Sequence, residues 1–142
     1  MFEAFAQQLA LFGSAAAQAF GFPQVFVTMI ATVAGIIVGA VPGLTATMAL
    51  ALLINLTYSM QLPVAVAFLL GVYVGAVMGG CYSAIMINIP GTPSAAATAL
   101  DGFILAKKGH GGQAIGVGVI ASFIGTLFSI VILIFLTPFL YK

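Results

Sequence analysis

Charge is what this chain lacks most. Only 4% of its 142 residues are Asp, Glu, Lys or Arg, against 63% hydrophobic residues. A soluble domain carries roughly 25% charged residues. Between Glu3 and Asp101 no charged residue occurs at all. No water-soluble fold covers its surface with so little charge, and the mean hydropathy of +1.31 agrees. Arg is absent and net charge is +1, which argues against nucleic acid, since phosphates need Lys and Arg to neutralise them. A single Cys81 excludes an internal disulfide and a cysteine-rich metal cluster. One His, one deep acid and no HExxH or GxSxG pattern make a poor catalytic set. The composition therefore predicts a lipid-embedded, non-enzymatic protein with no metal site and no cofactor.

The start of the chain lacks the positive n-region of a signal peptide. Phe2, Phe5, Leu9 and Phe12 instead recur at steps of three and four. That spacing suits a short helix lying at the membrane interface; a flexible terminus is the other reading.

What is present is a series of apolar runs. A spanning helix needs about 20 apolar residues. The first candidate runs from Pro23 to Val41 and ends at Pro42-Gly43. Thr45–Tyr58 is apolar but short. Leu62–Met78 is a second full span, interrupted at Gly79-Gly80, and Cys81–Ile89 is a short run ending at Pro90-Gly91. Pro93–Ala106 predicts a short Ala-rich helix, residues 107–112 a polar loop, and Gln113–Leu136 an unbroken span stopped near Pro138. No ten-residue alternation suggests a membrane β-barrel. The expected fold is all-α, a polytopic transmembrane helical bundle with Pro-Gly-broken helices, re-entrant or discontinuous.

Glycines recur at helical spacing. Gly35 and Gly39, then Gly71, Gly75 and Gly79, then Gly112 and Gly116 stand at steps of four. Such steps share one helix face, where missing side chains let backbones approach closely.

The most informative feature is an internal echo. Pro42-Gly43-Leu44-Thr45-Ala46-Thr47 resembles Pro90-Gly91-Thr92-Pro93-Ser94. Each follows an apolar span and precedes a short helix of small residues and hydroxyls. Proline removes a donor and glycine permits non-helical dihedrals. Inside a bilayer the freed backbone groups are costly unless they line a cavity or meet protein. Broken helices aim their positive N-terminal ends at anions. Thr92-Pro93 suits an N-cap and N1 pair, and Thr45 suits an N-cap. The expectation is one cavity near the bilayer midplane formed by both breaks; two plain proline-stopped turns are the alternative.

Other residues carry two readings each. Ser94, Thr98 and Asp101 share one helix face, which is either part of a cation or proton path or an interfacial stretch with Asp101 paired to Lys107 or Lys108. Asn88 offers donor and acceptor, for substrate, for sodium or for a neighbouring helix. Tyr58, Tyr73 and Tyr82 read as interfacial anchors or cavity walls. His110 reads as solvated and Cys81 as a small packing residue. Lys107 and Lys108 point to a cytoplasmic loop.

These motifs resemble a known family. Gly39-Ala40-Val41-Pro42-Gly43-Leu44-Thr45-Ala46-Thr47 is similar to the first signature of the large membrane subunit of tripartite tricarboxylate transporters. The segment 71–80 resembles the stretch that follows, and the segment 88–102 the second signature. Lys107-Lys108-Gly109 and Ala121-Ser122-Phe123-Ile124-Gly125 also fit. Cys81-Tyr82 departs from the small residues expected there.

The resemblance implies a multi-pass permease subunit in the bacterial inner membrane that imports carboxylates. A small membrane subunit and a periplasmic solute-binding protein are its implied partners. Import is implied to draw on a sodium or proton gradient, and no phosphate-binding loop is present. The residues expected to bind substrate, from the two breaks and supported by the resemblance, are Pro42, Gly43, Thr45, Thr47, Asn88, Pro90, Gly91, Thr92 and Ser94; Asn88, Thr98 and Asp101 are expected for ion coupling. Family members are several times longer. Residues 1–142 are thus expected to be a single transmembrane domain fragment, the N-terminal part of a larger permease. A non-transporting helical scaffold or gene remnant is the competing reading.

Overall fold

The computed structural model describes residues 13–140, which are almost entirely helical and contain no strand. The expected interfacial helix built on Phe2, Phe5, Leu9 and Phe12 lies outside the described residues. After a helical stretch at 13–19, the elements are α1 (Phe22–Gly39), α2 (Ala46–Leu53) with a 3₁₀ extension (Ile54–Ser59), α3 (Leu62–Ile87), a 3₁₀ turn (Pro93–Ala95) leading into α4 (Ala96–Leu105), and α5 (Gly111–Leu140). Three apolar runs are long enough to cross a membrane. Pro23 and Pro63 each stand in the first turn of their helix, where a missing N–H costs nothing.

The α1–α3 pair is the spine. A Cβ built on Gly71, Gly75 or Gly79 of α3 would run into the carbonyl oxygens of Thr28, Thr32 and Ile36 respectively. Built on Gly35 or Gly39 of α1, it would run into those of Val72 and Ala76. Two glycine ladders interlock, and the matched residues rise together, so α1 and α3 are parallel. The hydroxyls of Thr28 and Thr32 donate back to the carbonyls of Gln24 (2.7 Å) and Thr28 (2.8 Å). This keeps polar atoms satisfied at a contact with no water. In lipid such close packing replaces the hydrophobic drive.

Parallel neighbours force the intervening chain to travel back along the bundle. Eight residues of α2 and six of its 3₁₀ extension cover about 24 Å, enough to return. Ala46 and Ala49 pack with Ala31 of α1 and Phe68, Val72 and Ala76 of α3.

Gly79-Gly80 does not interrupt the second span. α3 is one helix of 26 residues. Both glycines are buried and serve close approach, Gly79 to Ile36 and Ala40, Gly80 to Thr92. The helix ends at Asn88, in the left-handed region at φ 59°. Pro138 likewise fails to stop the last helix, which continues to Leu140.

The apolar run Pro93–Ile134 is two arms, because Gly109 (φ 84°) reverses the chain. Thr98 and Ser122 line one cavity, and Ser94 lines another with Thr126 and Ser129. Only a hairpin pivoting at Gly109 brings those pairs level. The loop expected at 107–112 is therefore a tight reversal. Gly112 and Gly116 meet nothing within 4 Å, so the expected third packing face does not form among the described residues.

Candidate functional site

The second break dips back along α3. From Asn88 the chain turns down until the Gly91 N–H donates to the Gly80 carbonyl at 3.4 Å. Pro93 then starts a new helix that climbs beside α3, with Gly102 against Ile85. Small residues make this possible: Ala95 and Ala99 of this arm pack on Ala84 and Cys81. The dip reaches the level of Gly80, about 8 Å from the middle of α3 at 1.5 Å per residue.

The first break lies at the same level. It follows Gly39, whose carbonyl oxygen a Cβ on Gly91 would strike. That Cβ would also lie 2.9 Å from the Gly80 Cα and 3.2 Å from the Ser83 Oγ. Gly79 in turn abuts Gly39 and Ala40. The structure thus brings the leading edge of one break against the floor of the other, through four glycines.

The echo in sequence is an echo in hydrogen bonding. Thr45 and Thr47 join hydroxyls at 2.8 Å, and Thr92 and Ser94 at 3.1 Å. Thr45 is extended and caps α2, accepting from the Met48 N–H at 3.4 Å. Thr92 is extended but makes no side-chain cap. The Ala95 N–H bonds the Thr92 carbonyl instead, closing the 3₁₀ turn. The Thr92 side chain, 5% exposed, packs on Gly80. Both threonines stand at the expected N-cap positions, with Pro93 in the first turn, but only Thr45 closes a side-chain cap bond.

The remaining expected residues fall as follows. Pro42, Gly43 and Thr47 are exposed, as are Asn88, Pro90 and Ser94; Gly91 is buried. Gly43 takes φ 92° with open space around it. Ser94 lines a cavity of about 690 Å³ between α3 and α5, with Tyr73, Ser122, Thr126 and Ser129. Thr98 lines a smaller one of about 200 Å³ with Cys81 and Tyr82. Asp101 is exposed and lines neither cavity. The Lys107 ammonium sits 4.7 Å over the Phe103 ring rather than on Asp101. Among the described residues no cluster of His, Cys, Asp and Glu suits a metal ion.

Gly39, Gly80 and Ser122 were read from the sequence as a packing glycine, an interruption and part of a motif, and not as neighbours of the breaks or the cavities. The signal that could have found them is local: the first two are small residues beside the breaks, and Ser122 is a hydroxyl within an apolar span.

Two broken helices that meet inside an apolar bundle are an arrangement that transporters use around their binding sites. The model of the tripartite tricarboxylate transporter TctA family matches residues 25–142, and the chain belongs to that family. A relative from Agrobacterium vitis, described as an uncharacterized 52.8 kDa protein in the TAR-I ttuC' 3' region, is 40% identical over 89 residues. The match covers 63% of this chain and 18% of that relative, so the chain spans a small part of its length. No solved structure matches.

Proposed function

We propose that this chain forms part of the permease subunit of an ion-gradient-driven, binding-protein-dependent importer of tricarboxylates or related carboxylates. It sits as a multi-pass protein in the bacterial inner membrane, beside a small membrane subunit, and receives substrate from a periplasmic binding protein. Family membership supports the transport role. The observation that carries the site is the meeting of the two breaks, each bearing a linked hydroxyl pair at a helix start.

Substrate carboxylates are held by segments 42–47 and 88–94. Thr45, Thr47, Thr92 and Ser94 supply hydroxyls, and the break at Gly43 and the α2 start supply N–H groups on the positive side of the helix dipole. Pro42, Pro90 and Gly91 shape the two turns. Asn88 orients the second. With no Arg in the chain, recognition at these segments rests on dipoles and neutral donors. A coupling cation, sodium or proton, offsets the substrate charge near Asn88, Thr98 and Asp101.

Uptake of labelled tricarboxylates by cells carrying the complete transport system tests this. Thr45→Ala with Thr47→Ala, or Thr92→Ala with Ser94→Ala, is expected to lower uptake at least tenfold with normal membrane levels. Unchanged uptake in both double variants would overturn the assignment.

A further inference from the structure

The described residues hold their lysines, and the histidine of the chain, in one place. Lys107, Lys108 and His110 fall within four residues at the tip of the α4–α5 hairpin, and all three are exposed. Gly109, at φ 84° with open space around it, makes the reversal between them. The tip stands beside the end of α3, since Gly111 lies against Met86. It therefore caps the end of a bundle whose apolar helices are long enough to cross a membrane, which sets it at the level of lipid headgroups. The Lys107 ammonium sits 4.7 Å over the Phe103 ring. A lysine held this way keeps its charge at the apolar boundary. Asp101, the acid among the described residues, does not take up either lysine; it is exposed about two turns below on α4.

We propose that this tip docks on anionic phospholipid headgroups, with Lys107 and Lys108 binding phosphodiester oxygens and the open Gly109 reversal letting a headgroup come close. The inference is independent of substrate transport. Each lysine near an anionic surface contributes about 1 kcal/mol, so the pair corresponds to roughly 30-fold enrichment of anionic over zwitterionic lipid.

The full chain in nanodiscs of phosphatidylcholine with 20 mol% phosphatidylglycerol (a composition chosen for the assay) provides the test, by counting lipids retained on release into a mass spectrometer. Wild type is expected to retain phosphatidylglycerol selectively, and Lys107→Gln with Lys108→Gln to lose roughly 30-fold of that preference. Lys107→Arg with Lys108→Arg is expected to keep it. Lys108→Gln alone, which leaves the Phe103 contact in place, is expected to lose about fivefold; this variant decides the matter if the double glutamine variant fails to reconstitute. Equal lipid preference in wild type and Lys108→Gln would overturn the proposal. Full displacement of the lipid by millimolar inorganic phosphate would also overturn it, by showing a site for free phosphate instead.

Discussion

The two Pro-Gly breaks look alike in sequence, yet their glycines act in different ways. Gly43 is a joint: it takes φ 92° and a Cβ there would meet nothing within 4 Å. Gly91 is a spacer: its φ is not positive, but a Cβ there would strike the Gly39 carbonyl. The left-handed residue of the second break is Asn88, three positions earlier. Asn tolerates that region better than most residues with a side chain. One break therefore bends where glycine frees the backbone. The other bends at an asparagine and uses its glycine to bury the bend against a neighbour.

Substitutions separate joint from spacer. The largest effect is expected at spacers. Gly75→Leu forces a side chain into the Thr32 carbonyl and is expected to abolish folded, monodisperse protein in size-exclusion chromatography. The same change at Gly116, which faces open space, is expected to leave the profile unchanged. Next, Gly91→Ala is expected to destabilise by about 2–3 kcal/mol, the upper part of the range for overpacking because the clash is with fixed backbone, read from thermal unfolding in detergent. Gly43→Ala follows at about 1–2 kcal/mol, the cost of a left-handed residue with a Cβ. If Gly43→Ala proved the more damaging of the two, the division would be reversed. The smallest effect is expected at Asn88→Gly, within about 0.5 kcal/mol of wild type, because glycine takes the same φ freely. A cap contrast sharpens the comparison further: Thr45→Ala is expected to cost about 1 kcal/mol through loss of the Met48 cap, whereas Thr92 has no cap to lose.

The apolar runs, both breaks and a polar separation at 107–112 were legible in the sequence, because hydropathy and Pro-Gly punctuation act locally; that the separation is a tight turn at Gly109 and not a loop was not legible. Spacing at steps of four revealed the faces of Gly35, Gly39, Gly71, Gly75 and Gly79. It could not reveal which faces find partners, since Gly112 and Gly116 carry the same spacing, yet a Cβ on either would meet nothing within 4 Å among the described residues. Gly79-Gly80 read as a break because paired glycines weaken a helix in water. In lipid, an unbonded backbone is costlier still, and α3 stays helical while its glycines admit α1 and the second break. Asn88 drew attention for its amide, as a ligand or a partner for a neighbouring helix; its left-handed backbone at φ 59° was not legible. The meeting of Gly39 with Gly91 is a long-range fact, set by the parallel packing of α1 and α3, and no local pattern encodes it.

The most direct test of a shared site is substrate protection of single cysteines. With Cys81→Ser as background, cysteines at Thr47 and Ser94, both exposed, are labelled with a small maleimide with and without tricarboxylate, in membranes holding the complete transport system. One substrate is expected to slow labelling at both positions at least fivefold, with the same half-maximal concentration. Protection of neither position, or protection at two unrelated concentrations, would contradict a single site built from both breaks.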